Sequence, residues 1–310
     1  MGAMSHLRPT RHTPRLAAAA LGTALALTLV GCGSEAEPTS GGTTAADPAT
    51  PSDEPTPSDP ASTTPESPSG EATTVPVYFV GDAPLGLRLF REFQDAQGEP
   101  GLAAARLLVA GDSDDPDYRT LLEGLTVTDV TAGDGTIDVT ATADGLEERP
   151  SGMSAKDAEV AVQSLVYTVQ GALGSRDPVR LVGDDAPTRL LGVDVSTPVA
   201  AADQLDVLNL VSITSPAEDE TVSGTFTAEG LSSSFEATTP WEVRDSSGAV
   251  VLDGSTTAEG WMDRLYPWEA EVDVSSLAPG DYVFAALTDD PSGGGEGAGA
   301  SEDTRTVTVG

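Results

Sequence analysis

The chain has 310 residues, with 15 Lys or Arg against 50 Asp or Glu and a formal net charge of −35. So large an acidic excess repels phosphate backbones and excludes nucleic acid as an expected partner. The two histidines, His6 and His12, and the single cysteine, Cys32, all fall in or at the end of a leader segment. The mature chain is therefore expected to lack a Ser-His-Asp or Cys-His nucleophile system, an ordinary zinc site and any internal disulfide, and no cofactor is expected.

Residues 1–31 read as a signal peptide. Arg8, Arg11 and Arg15 form a basic start, and the apolar run Leu16–Val30 is too short to span a bilayer comfortably. The run ends in Leu29-Val30-Gly31-Cys32, which resembles the bacterial lipobox. The resemblance implies cleavage between Gly31 and Cys32 and attachment of a diacylglyceryl group, palmitate-like in its chains, to the Cys32 sulfur. Two or three acyl chains hold a protein durably, since each buried CH₂ contributes about 0.8 kcal/mol. The expected location is the outer face of the cytoplasmic membrane, with the membrane itself as one partner through the lipid on Cys32.

Residues 32–74 form the next segment, the lipidated cysteine followed by a tether. Beyond Cys32 it contains Pro, Thr, Ser, Gly, Ala and acids, with no base and no apolar side chain larger than Ala. Such a composition cannot offset the entropy of ordering, so a disordered, acidic spacer is expected, able to reach on the order of 100 Å when extended. Its Ser, Thr and Pro content also suits an O-glycosylated stalk.

Residues 75–206 read as an α+β domain. Strands are expected at Val75–Val80 and Leu87–Phe93, then a short helix at Gly101–Ala110 stopped by Gly111. A hairpin follows, with strands Leu125–Val130 and Thr136–Thr142 joined through a Gly-Asp-Gly turn. Ser154 and Asp157 give a capping-box pattern at the start of a helix to Leu173, whose apolar stripe runs through Ala158, Val162, Leu165 and Val169. A last strand is expected at Pro178–Val182, and no βαβ rhythm is visible.

Residues 207–310 read as an all-β immunoglobulin-like sandwich. Seven short strands are expected, at 208–214, 221–229, 241–245, 249–253, 268–274, 282–287 and 304–309. There is no cysteine pair to staple them, so packing alone must hold the sheets together.

Several residues invite a site reading. Asp112, Asp114 and Glu123 stand where a calcium loop places its first, third and twelfth ligands. Pro116 and Asp117 stand at its fifth and sixth positions, where the loop needs an oxygen ligand and glycine, so a solvated acidic loop is the better reading. Asp289, Asp290 and Glu296 around Gly293–Gly295 read the same way. No metal ligand set is assigned. Trp261, Tyr266 and Trp268 are a candidate exposed aromatic patch, although aromatic residues more often fill a sandwich core.

Residues 75–199, through VPVYFVGD, RLFREF, AVQSLVYTVQGALG and PVRLVGDDAPTRLLG, resemble the GerMN domain of sporulation and spore germination. Residues 207–309, through ITSPAEDETVSGTFTAEG and DYVFAALTDDPSGGGEGA, resemble the immunoglobulin-like domain named Gmad2. The order lipobox, tether, GerMN and immunoglobulin-like module resembles an actinobacterial lipoprotein arrangement. The resemblance implies an envelope binding or scaffold protein without catalysis, no catalytic residue, and a protein partner in the envelope. The alternative is a lipoprotein that binds cell-wall glycan or peptidoglycan.

Overall fold

The structure is a computed structural model that describes residues 72–290 and 298–310. The expected signal peptide, Gly31, Cys32, the expected tether as far as residue 71, and the Gly293–Gly295 stretch with Glu296 lie outside the described residues. Among the described residues no helix is long and apolar enough to cross a membrane.

The chain first forms a long hairpin. Strands β1 (Thr73–Ala83) and β2 (Gly86–Ala96) pair antiparallel without a register break, from Thr73 opposite Ala96 to Ala83 opposite Gly86. The pleat turns Val75, Val77 and Phe79 to one side, where they enter the domain core. Helix α1 (Pro100–Ala110) opens on a proline, whose missing N–H costs nothing there, and stops at Gly111 with φ 74°. Strands β3 (Leu125–Gly133) and β4 (Thr136–Ala143) meet at Asp134-Gly135, where φ is 53° and 76°. Positive φ at both turn positions is what a tight two-residue hairpin demands.

Helix α2 (Ala155–Leu173) starts on the expected capping box. The Ser154 hydroxyl accepts the Asp157 N–H at 3.0 Å, and the Asp157 carboxylate accepts the Ser154 N–H at 3.2 Å. Its burial exceeds one stripe: every residue from Val160 to Gln170 is buried. The helix lies between two apolar clusters, with Ala161, Leu165 and Val169 in the domain core and Val160 and Tyr167 in a second cluster.

Strand β5 (Val179–Val182) then pairs parallel with β4, giving the sheet order β3-β4-β5. The β4–α2–β5 connection is therefore a βαβ unit, contrary to the reading of the sequence. Four residues of strand are too few to carry a parallel-sheet signature. The small pair β6 (Arg189–Leu190) and β7 (Val193–Asp194) and helix α3 (Gln204–Val207) complete this part.

The second domain is a two-sheet sandwich. Strands β8 (Val211–Ser215), β10 (Thr225–Ser232) and β13 (Tyr266–Asp273) form one sheet in the order β13-β10-β8. Strands β9 (Glu220–Val222), β11 (Thr238–Arg244), β12 (Val250–Thr257), β14 (Gly280–Leu287) and β15 (Glu302–Val309) form the other, in the order β12-β11-β14-β15-β9. The single strand expected at 221–229 is in fact two. It breaks at Gly224, φ 60°, so that β9 joins β15 in parallel while β10 crosses to the opposite sheet. Ile213, Val243, Trp268, Val272, Phe284 and Val307 fill the space between the sheets.

The two domains share a packed seam. Val80 and Leu89 of the hairpin, Val160 and Tyr167 of α2, Val207 and Leu208, and Leu265 of the sandwich form one buried apolar cluster. Asn209, 1% exposed, ties the connection down: its N–H donates to the Leu89 carbonyl, and its side-chain amide donates to the carbonyls of Val211 and Glu302.

Candidate functional site

Strand β15 alternates strictly, and its inward row reads Asp303, Arg305, Val307, Val309. The apolar half of that row enters the sandwich core, and the charged half meets the first domain. In β2 the corresponding inward row places Glu92 between Phe90 and Gln94. The Glu92 carboxylate accepts the N–H groups of Asp114 and Asp115 at 3.1 and 2.7 Å, which folds the acidic loop inward. Arg305 then donates to Asp115 at 2.6 Å, to the Tyr118 hydroxyl at 2.8 Å and to Asp303 at 3.3 Å. The Tyr118 hydroxyl donates to Asp303, whose other oxygen accepts the Ile213 N–H at 2.6 Å. The Asp115 and Arg305 side chains are only 3% and 5% exposed.

Three buried carboxylates thus face one guanidinium. Desolvation, offset in part by the Asp117 N–H and Arg305, pushes the Asp115 carboxyl up to about 7. Burial raises Glu92 as well, against its two backbone hydrogen bonds. Tyr118 is held well above its ordinary value by burial and then by Asp303. Burial disfavours the charge on Arg305, but Asp303, Tyr118 and Asp115 together hold it firmly protonated. Beside this cluster lies an open cleft of about 570 Å³, bounded by Asp82, Phe90 and Asp117 on one side and by Glu302 and Thr304 on the other.

The acidic loop is therefore not simply solvated, as its composition suggested. Asp115 is ion-paired to a residue far along the chain, which composition cannot reveal. Glu123 is exposed, apart from that cluster. Among the described residues no group of three or more His, Cys, Asp or Glu is arranged to hold a metal ion.

The aromatic residues are also distributed differently from the expected patch. Trp268 is 3% exposed and belongs to the sandwich core. Tyr266, two residues earlier on the same face of β13, is half-buried at the margin of that core. The Arg264 guanidinium lies over the Tyr266 ring at 4.6 Å, and the Tyr266 hydroxyl donates to Asp263 at 2.7 Å. Trp261 is at the surface, but its neighbour is Phe235, from a 3-10 turn at Phe235–Ala237. The two rings meet edge to face at 5.3 Å and 74°. Phe235, Trp261 and Met262 are 42%, 36% and 69% exposed.

Two loops hold this pair. The Met262 N–H donates to the Ser233 hydroxyl at 3.2 Å, joining them. Glu236, Ala237 and Met262 have φ of 52°, 61° and 87°, a conformation that costs on the order of 1–3 kcal/mol per non-glycine residue. Phe235 is an isolated apolar residue in a polar loop and was not singled out in the sequence; Met262, next to Trp261, carries no pattern that marks it as exposed.

Residues 76–189 match the family described as sporulation and spore germination, the Germane or GerMN family. Residues 210–295 match Gmad2, the immunoglobulin-like domain of bacterial spore germination. The chain thus carries a GerMN-like segment followed by an immunoglobulin-like segment that matches Gmad2. Both families are described by sporulation and spore germination, and neither is a known enzyme family. No curated protein matches the chain. Among solved structures, it is similar to the tandem GerMN domains of the sporulation protein GerM from Bacillus subtilis, with 16% identity and a TM-score of 0.33 over 66% of this chain. It is also similar to an engineered protein, with 17% identity and a TM-score of 0.26 over 55% of this chain. The chain spans 62% and 39% of the length of those two structures.

Proposed function

We propose that this GerMN–Gmad2 chain is a lipid-anchored, extracytoplasmic and non-catalytic binding protein of the cell envelope. It serves as a scaffold for another envelope protein of a sporulation- or germination-type assembly. The observation that carries the reading is the tandem of two germination-type domains behind the segment Leu29-Val30-Gly31-Cys32, which resembles a lipobox. The packed seam supports it, because a continuous apolar and ionic interface suppresses the relative motion expected of loosely linked domains. A tether of the expected length would present that unit well clear of the lipid surface.

The anchor is tested by labelling cells with a radioactive fatty acid and fractionating them. The full-length protein should carry label and sediment with membranes, whereas Cys32→Ser should lose the label and appear in the medium. Equal membrane retention and labelling of Cys32→Ser would overturn the anchor.

A further inference from the structure

We propose that the Phe235–Trp261–Met262 surface is a docking site for a protein segment that presents an apolar side chain flanked by lysine or arginine. The inference rests on the binding-protein reading above and names the chemistry of the partner. Three large apolar side chains stand exposed together on two loops that a hydrogen bond from Met262 to Ser233 holds in one arrangement. Three of the six non-glycine residues with positive φ among the described residues lie in those same two loops. The fold thus keeps these side chains at the surface through an unfavourable backbone.

The occupant follows from shape and charge. The edge-to-face geometry of Phe235 and Trp261 sets the edge of one ring against the face of the other. The two rings are therefore not coplanar and do not offer the flat platform on which a sugar ring stacks, whereas their exposed apolar surface suits an aliphatic or aromatic side chain. Met262 adds an adaptable apolar wall. The exposed neighbours Glu236, Glu259 and Asp263 are acidic. Among the described residues of these two loops the one cation, Arg264, is turned onto Tyr266. An exposed apolar cluster with acidic neighbours is complementary to an apolar anchor with basic flanks, and the neighbouring charges speed encounter and reject acidic competitors.

The test places benzoylphenylalanine at position 261 of the full-length, membrane-anchored protein in its native cells. A second protein carries it at position 250, on the outer strand β12 of the sandwich. After irradiation the crosslinked peptides are sequenced. Position 261 should yield one recurrent peptide with an apolar residue between Lys or Arg residues, and position 250 should not. The double variants Phe235→Ser/Met262→Ser and Glu236→Lys/Asp263→Lys should each lower that yield roughly tenfold. The second is a surface charge reversal, and its melting temperature is measured beside the parent's, so that a folding defect is told apart from lost docking. Wall glycan, lipid, a second copy of this chain or an acid-flanked peptide at position 261 would overturn the proposal. So would an undiminished yield in the charge-reversal variant. If the folded domains still capture envelope proteins while position 261 yields nothing, this inference fails and the binding-protein reading stands.

Discussion

Burial beside Arg305 pushes the Asp115 carboxyl up, and stability should depend on pH through it. A carboxyl whose folded pKa is raised contributes stability that is complete below its unfolded value and is lost as pH rises through the folded one. For Asp115 that window runs from its ordinary 3.8 to about 7, and Glu92 shifts in the same direction. Asp114, Glu218 and Asp303 add negative charge around the two groups, and the backbone N–H groups of Asp114, Asp115 and Asp117 together with Arg305 oppose the rise. The melting temperature of the full chain should therefore fall by roughly 5–10 °C between pH 5 and pH 8. Asp115→Asn should flatten most of that slope, and an unchanged slope would place the titration elsewhere. Arg305→Met leaves the surrounding carboxylates unmatched in a dry seam. It should cost about 3–5 kcal/mol in urea unfolding, where a merely exposed pair would cost under about 1 kcal/mol.

At the scale of the element, local chemistry decides much of the outcome. Ser154→Ala removes one half of the α2 capping box and should lower stability by about 1 kcal/mol, read as a shift in the urea midpoint. Gly230→Ala is a harsher test, because a Cβ there would lie 1.8 Å from the Ser212 carbonyl oxygen and 2.7 Å from the Trp268 ring. It should destabilise the β13-β10-β8 sheet by about 3 kcal/mol, and a change within 0.5 kcal/mol would contradict the close packing described.

The same elements show how far the sequence could be read. Both main helices, the Asp134-Gly135 hairpin and the outer strands were legible because cap, stop and alternation are local signals. Strand β5 as a parallel partner, and the division of residues 221–229 between two sheets, depend on pairings remote in sequence. The candidate site was legible only in part. Trp261 stands out by its residue type, but burial of Trp268 and its partnership with Gly230 are decided by the opposite strand. The ionic seam joins Asp115 to Arg305 across 190 positions, and no spacing rule reaches that far.

At the scale of the whole molecule, the two folded domains share a packed seam, and the proposed function is binding by that unit from a lipid anchor. The apolar seam and the Arg305 cluster fix the relation of the GerMN and Gmad2 domains, so that the Phe235–Trp261 loops keep a constant position on that unit. In-cell crosslinking of the tagged full-length protein, followed by purification from solubilised membranes and mass spectrometry, tests this most directly against a control ending at residue 74. The account predicts one or two envelope proteins recovered only when the folded domains are present. Recovery of wall fragments alone, or of the same proteins with the control, would contradict it.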